Sequence, residues 1–252
     1  MIAALPGLRR VEQIMGLPIV IDVRDRDARE DLLDEAFEEF RSVDARFSTY
    51  RCDSEIMRIN RGELAAADAH PDVREILASC EALRASTGGF FDARAASPAI
   101  IDPSGLVKGW SVDRVVAILE RGGMRNFAVS AGGDVVVRGR ALPDDCWRVG
   151  IQHPTIADKL ARVVLARDLA IATSGAYARG DHVLDPHTRR PPTGVLSVTI
   201  TGPALATADA YATAAFAMGA RGPAFTARLE GHESMTILTD GRMLSTPRFP
   251  AS

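Results

Sequence analysis

Apolar residues along the chain follow two rhythms, and the change between them falls near the middle of the sequence. Ile19-Val20-Ile21-Asp22-Val23 has the β-branched density of a strand. From Asp27 onward Leu33, Phe37, Phe40 and Phe47 return at three- and four-residue steps or their multiples, which predicts a helix with one aromatic-rich buried stripe. A loop is expected over 48–53 and a short helix over 54–60. A longer helix follows over 71–86, where Val73, Ile76, Leu77, Cys80 and Leu83 keep the helical period and Thr87-Gly88-Gly89 ends it. The next helix is expected over 112–120, stopped by Gly122-Gly123.

The second half is richer in strands. Runs at 127–130, 134–138, 147–151, 161–165 and 195–201 are expected to be extended, followed by helices at 206–218 and 222–229 and a last strand at 235–239. Helices grouped beside strands, without strict βαβ alternation, indicate an α+β fold with mixed or antiparallel sheets and flanking helices. The chain shows no internal repeat and no linker, so residues 1–252 are expected to form a single compact, two-lobed domain.

Composition narrows the class. With 46% hydrophobic and 25% charged residues the chain reads as an ordinary globular protein. Its formal charge of −3 supplies no overall positive field, so nucleic acid is not an expected partner. Arg9, Arg10 and Glu12 interrupt the apolar N-terminal stretch before a signal-peptide core forms, and no membrane span is visible. Cys52, Cys80 and Cys146 form no CxxC pair, which argues against a disulfide framework and a zinc site. A cytoplasmic location is the expectation. Of the 30 basic residues only Lys108 and Lys159 are lysines.

Lys108 sits in Ser104-Gly105-Leu106-Val107-Lys108-Gly109. Glycines there would let backbone approach a ligand while the lysine meets a phosphate oxygen; the other reading is a loop that caps the following helix through Ser111. In Ala208-Asp209-Ala210-Tyr211-Ala212-Thr213, Asp209 and Thr213 are four apart and share a helical face. A carboxylate and a hydroxyl suit Mg²⁺ or Ca²⁺, although Asp209 could equally be favoured by the helix dipole while Thr213 packs. Gly132-Gly133 within a strand region suggests a bulge or a close backbone approach. Ser174 lacks the GxSxG context of a hydrolase nucleophile. His182, before Asp185-Pro186, is the best histidine for acid/base work, with His70, His153 and His232 read as structural or surface residues.

The order of these motifs is more specific than any one of them. Met15-Gly16, Phe47-Ser48-Thr49-Tyr50 with Asp53-Ser54-Glu55-Ile56 and Asn60, Thr87-Gly88-Gly89-Phe90-Phe91-Asp92, Asp102 to Gly109 with Asp113, Gly132-Gly133-Asp134, Ser174-Gly175, His182-Val183-Leu184-Asp185-Pro186 and Ala208 to Thr213 resemble the ApbE family of FAD:protein FMN transferases. The resemblance spans roughly residues 15–239. It implies a T-fold-related domain and a Mg²⁺-dependent enzyme that splits the FAD pyrophosphate. FMN would pass to a Ser or Thr of an acceptor flavoprotein and AMP would leave. FAD hydrolysis to FMN and AMP, or FAD binding without catalysis, are the alternatives.

Carried over by matching motif, Asp209 and Thr213 would hold the metal with a backbone carbonyl at Gly105. Met15, Tyr50, Phe90, Phe91, Asp92, Asp102, Lys108 and Val183 would line the FAD site, and His182 would be the base. The chain departs from the family pattern at Leu17, where Thr is usual, and at Arg189, where glycine is usual. Only nine residues separate Asp92 from Asp102, which implies a trimmed lobe there.

Overall fold

The computed structural model describes residues 6–142, 145–175 and 183–250. The strands are β1 (Leu8–Ile14), β2 (Leu17–Val23), β3 (Phe127–Ala131), β4 (Asp134–Arg138), β5 (Trp147–Gln152), β6 (Leu160–Ala166), β7 (Leu169–Gly175), β8 (Val195–Gly202), β9 (Glu233–Leu238) and β10 (Met243–Ser245). Eight of them form one sheet in the order β1-β2-β3-β4-β7-β8-β9-β10, and β5 and β6 form a separate hairpin. Every pairing in the large sheet is antiparallel. The helices are α1 (Glu30–Phe47), α2 (Glu55–Asn60), α3 (Pro71–Ser86), α4 (Ser104–Arg121), α5 (Leu205–Ala217) and α6 (Gly222–Thr226). This is the expected α+β class, with antiparallel sheets.

The pleat assigns each face its cover. Ile19, Ile21, Val129, Val136, Ala170, Ala172, Val198 and Ile200 point to one side and pack with Leu33, Phe37 and Phe40 of α1, Val112, Val115 and Leu119 of α4 and Leu205 and Ala212 of α5. Their neighbours Val135, Val137, Ile171, Met235 and Ile237 point to the other side and meet Trp147, Ile151 and Val164 of the β5-β6 hairpin. Strand β4 therefore lacks polar alternation because both of its faces are covered.

A second helical core lies beside the first. Val43 and Phe47 of α1, Ile56 of α2, Val73, Ile76 and Cys80 of α3, Phe91, Leu106 and Val107 of α4, and Ala210 and Ala214 of α5 form it. The helix α5 thus runs between the two cores and is buried on nearly every side, as its alanine-rich sequence allows. Asp209, only 3% exposed, is its buried charge. These two cores share α1, α4 and α5.

Local differences from the sequence reading have identifiable causes. The helix α4 begins at Ser104, two turns before the expected Val112, so the Ser104–Gly109 segment is helix and not a capping loop. Ser111 is not a cap: it is buried within α4 and its Oγ donates to the Lys108 carbonyl at 2.7 Å. Gly132-Gly133 is no bulge but a two-residue hairpin turn between paired Ala131 and Asp134, with φ of 59° and 102°. The helix α6 stops at Thr226 and not at Leu229.

The sequence pattern does not predict strands β1, β7 and β10. On β1 the two middle inward positions are charged: Arg10 pairs with Asp34 at 2.5 Å and stacks over Phe37 at 5.0 Å, and Glu12 meets Arg41 at 2.5 Å, while Leu8 and Ile14 at the ends pack on the sheet core. Inward charges of this kind blunt an edge strand. Met15-Gly16 is the tight turn from β1 into β2, with both φ values positive at 57° and 69°. No helix among the described residues is long and apolar enough to cross a membrane.

Candidate active site

The site is built where α4 crosses α5. Gly109 faces the start of α5, where any side chain would strike the Leu205 carbonyl. One turn earlier, Gly105 lies against Phe91 and Thr213: a Cβ there would be 3.3 Å from Phe91 Cε2 and 3.7 Å from Thr213 Oγ1. One turn later, Asp113 accepts from the Leu205 and Ala206 backbone N–H groups, both at 2.8 Å. It satisfies two of the unpaired donors of an α5 N-terminus that has no cap of its own. Gly105, Gly109 and Asp113 thus form one stripe of α4, and it fixes α5 in register so that Lys108 meets Asp209.

Lys108, Asp134 and Asp209 form a mostly buried charge triad. The Lys108 Nζ donates to Asp134 Oδ2, and stands 3.4 Å from Asp209 Oδ2. That second contact is an ion pair without hydrogen-bond geometry, for Asp209 Oδ2 is buried and has no hydrogen-bond partner. Asp134 is 2% exposed, and its Oδ1 accepts from the Thr173 N–H at 2.8 Å. Burial disfavours the Lys108 ammonium, but Asp209 and Asp134 outweigh it and hold its pKa above the ordinary value. Burial pushes the Asp209 carboxyl up to about 7, with Lys108 pulling it down and Asp134 pushing it up.

A buried carboxylate oxygen without a donor is costly unless something cationic meets it. Thr213, one turn along α5, adds a hydroxyl within 3.4 Å of Ser174 Oγ on β7. Among the described residues no group of three or more His, Cys, Asp or Glu is placed to hold a metal. A cation here would depend on one carboxylate plus hydroxyl and carbonyl oxygens, a donor set that suits Mg²⁺. Asp209, Thr213 and the backbone near Gly105 fit that ion.

The other expected site residues are more dispersed. Phe91 is 3% exposed and belongs to the helical core, with its ring edge against Gly105. Phe90 is half-buried, edge-on to His187 at 4.6 Å and under the Arg221 guanidinium at 4.8 Å. Tyr50 is 97% exposed. Met15 packs against both the sheet core and the helical core, and Val183 against the sheet core. Asp92 pairs with Arg84 at 3.5 Å. Asp102 accepts from the Ser104 N–H at 3.0 Å, at the start of α4. His182 lies outside the described residues.

A family model described as the ApbE family matches residues 15–99 and 93–236. The chain belongs to the ApbE family. It is 35% identical over 129 residues to the FAD:protein FMN transferase of Vibrio cholerae serotype O1, a match covering 47% of this chain and 39% of that one. Against the FAD:protein FMN transferase of Salmonella typhimurium identity is 30% over 160 residues, covering 60% and 46%. The matched segments thus span less than half the length of these relatives. Among solved structures, the flavin transferase ApbE of Vibrio cholerae superposes with a TM-score of 0.83 at 24% identity, over 97% of each chain. The ApbE protein of Thermotoga maritima does so with 0.84 at 22%, over 95% of this chain and 97% of that one.

Two departures of this ApbE chain have a visible structural setting. Arg189 adopts φ 55°, the left-handed region in which glycine is unstrained. Leu17 lies over the Gly132 turn, with its Cδ2 at 2.9 Å from a Cβ built there. Sequence reasoning gave no role to Asp134, Thr173 or His187. Asp134 did carry a signal, since it is a carboxylate directly preceding the apolar run Val135-Val136-Val137. His187, which approaches the Gly88 carbonyl at 3.1 Å through Nε2, had none: it follows directly on the His182–Pro186 motif but is not part of it.

Proposed function

We propose that the protein is a Mg²⁺-dependent FAD:protein FMN transferase. The observation that carries this reading is the buried Asp209 oxygen that accepts no hydrogen bond and meets only the Lys108 ammonium at 3.4 Å, one helical turn from Thr213, in a chain of the ApbE family. The names of its relatives support the substrate class. Asp209 and Thr213, with the Gly105 carbonyl, would hold the metal. Bound there, Mg²⁺ supplies charge neutralisation at phosphoryl oxygens.

The rest of the reaction falls to the chain itself. Lys108 adds a compact positive charge beside Asp209, suited to an anionic dinucleotide. Met15, Tyr50, Phe90, Phe91, Asp92, Asp102 and Val183 are assigned to FAD binding by their place in the family motifs. His182 is assigned as the base by the same match. It would take the proton of an acceptor Ser or Thr hydroxyl as that oxygen bonds to the FMN phosphorus. The bond from that phosphorus to the bridging oxygen breaks, and AMP leaves with the oxygen. We take residues 1–252 as one domain, and its three cysteines, free in the structure, suit a reducing cytoplasm.

The test is a reaction of purified protein with FAD and Mg²⁺, with and without a domain bearing a D-x-x-[ST]-[GS]-[AT] segment. Covalent flavin on the acceptor supports transfer. FMN and AMP released equally without acceptor would replace it with FAD hydrolysis, and tight FAD binding without turnover would replace it with a binding protein.

A further inference from the structure

We propose that Asp134 is a positioning residue: it keeps the Lys108 ammonium off Asp209 Oδ2 and so leaves that oxygen free for a divalent cation. The inference rests on the assignment of Asp209 as a metal ligand. It adds to that assignment a reason why a lysine can sit so close to a metal carboxylate without occupying it.

The two carboxylates that face Lys108 are held differently. Asp134 closes the Gly132-Gly133 turn at the start of β4, and the Thr173 N–H of β7 fixes its Oδ1 at 2.8 Å. The Thr173 hydroxyl is in turn braced against Thr199 Oγ1 of β8 at 2.9 Å. Its other oxygen, Oδ2, takes the lysine. Asp134 is therefore an anchor mounted on the sheet. Asp209 belongs to α5, and its Oδ2 faces the same ammonium at 3.4 Å without a hydrogen bond.

Lysine has a flexible four-carbon stem and three donors, so its head goes where acceptors pull it. With Asp134 neutral, Asp209 would be the stronger attractor and lies within a short swing of the ammonium. The lysine would then complete a full salt bridge and compete with any cation for Oδ2. The sheet-mounted carboxylate prevents this while keeping the positive charge close to the site.

The experiment is Mg²⁺ binding to the purified full chain by calorimetry, across native protein, Asp134→Asn, Lys108→Gln and the double variant. Asparagine retains an acceptor for the Thr173 N–H; Asp134→Ser, read in the same way, replaces it if the first variant does not fold. Asp134→Asn is expected to weaken Mg²⁺ binding by about tenfold or more, the usual scale for groups that position metal ligands. Lys108→Gln should then strengthen binding more in the Asp134→Asn background than in the native one, again by about tenfold, because only there is the lysine on Asp209. A crystal structure of metal-free Asp134→Asn should bring Nζ in from its native 3.4 Å to about 2.8 Å of Asp209 Oδ2, in hydrogen-bond geometry. Equal effects of Lys108→Gln in both backgrounds, or an unmoved lysine, would overturn the proposal. Asp209→Ala is the separate control: if it binds Mg²⁺ like the native chain, the metal assignment itself fails.

Discussion

Gly109 lies so close to Leu205 that a Cβ built on the glycine would be 2.6 Å from the leucine carbonyl oxygen. That contact sets the distance between α4 and α5, and with it the approach of Lys108 to Asp209. Gly109→Ala should therefore force the helices apart, with an overpacking cost of ~1–3 kcal/mol. Urea unfolding would register the loss, and flavin transfer should fall further than stability alone accounts for. An alanine variant with native stability and turnover would show that the crossing is not tight.

Asp113 is the second constraint on the same crossing. Asp113→Ala leaves the Leu205 and Ala206 N–H groups without their acceptor, and the cost of losing such a cap is ~1–2 kcal/mol. Asp113→Asn, which keeps one acceptor oxygen, should lie between. Denaturation midpoints of the three proteins give the order directly.

Asp209→Ala is expected to abolish Mg²⁺-dependent turnover, measured as AMP release from FAD. Thr213→Ser should keep most activity because the hydroxyl remains, whereas Thr213→Val should lose it at nearly constant volume. Full activity in Thr213→Val would remove Thr213 from the metal site.

Cys80 offers a pH-dependent test away from the site. It is 4% exposed in the helical core. Burial first, then the charges of Glu81, Asp102 and Asp92, push its thiol up to about 12 from 9.0. The folded chain therefore favours the neutral thiol. The associated stability is complete below pH 9.0 and declines as pH rises toward 12. Cys80→Ala should show a shallower loss of stability than native protein between these limits. At pH 8 a thiol reagent should label exposed Cys52 in the folded chain and Cys80 only after unfolding.

Some of this architecture was legible because the local signals agreed. The helix α3 runs over Pro71–Ser86 as expected, since a proline opens it, Thr87-Gly88-Gly89 closes it, and one apolar stripe joins them. Tertiary contacts override local preference in α4. Gly105 and Gly109 weaken its first turns as an isolated helix, yet their missing side chains make room for the Phe91 ring edge and for the start of α5. Strand β7, Leu169-Ala-Ile-Ala-Thr-Ser-Gly, carries little β-branched content and is extended because β4 and β8 flank it.

The site followed the same division. The motif series brought Gly105, Lys108, Asp209 and Thr213 into consideration, and the structure brings these four together where α4 crosses α5. Asp134 entered only as the residue after the Gly132-Gly133 pair, because pairing across β3, β4 and β7 is what carries it under Lys108. Tyr50 is exposed, and Asp92 and Asp102 make turn contacts two residues on that many surface carboxylates make, so none of the three stands out.

The two ends of the large sheet carry a consequence for how the chain meets other proteins. At one end β1 spends the middle of its inner face, Arg10 and Glu12, on ion pairs with α1, and at the other β10 is only three residues long. Neither offers a long apolar ladder on which a partner's backbone could zip, so recruitment of an extended segment as a ninth strand is disfavoured. If the chain acts on an acceptor protein as proposed, recognition by side chains, and not by backbone pairing at these sheet ends, is the expected mode.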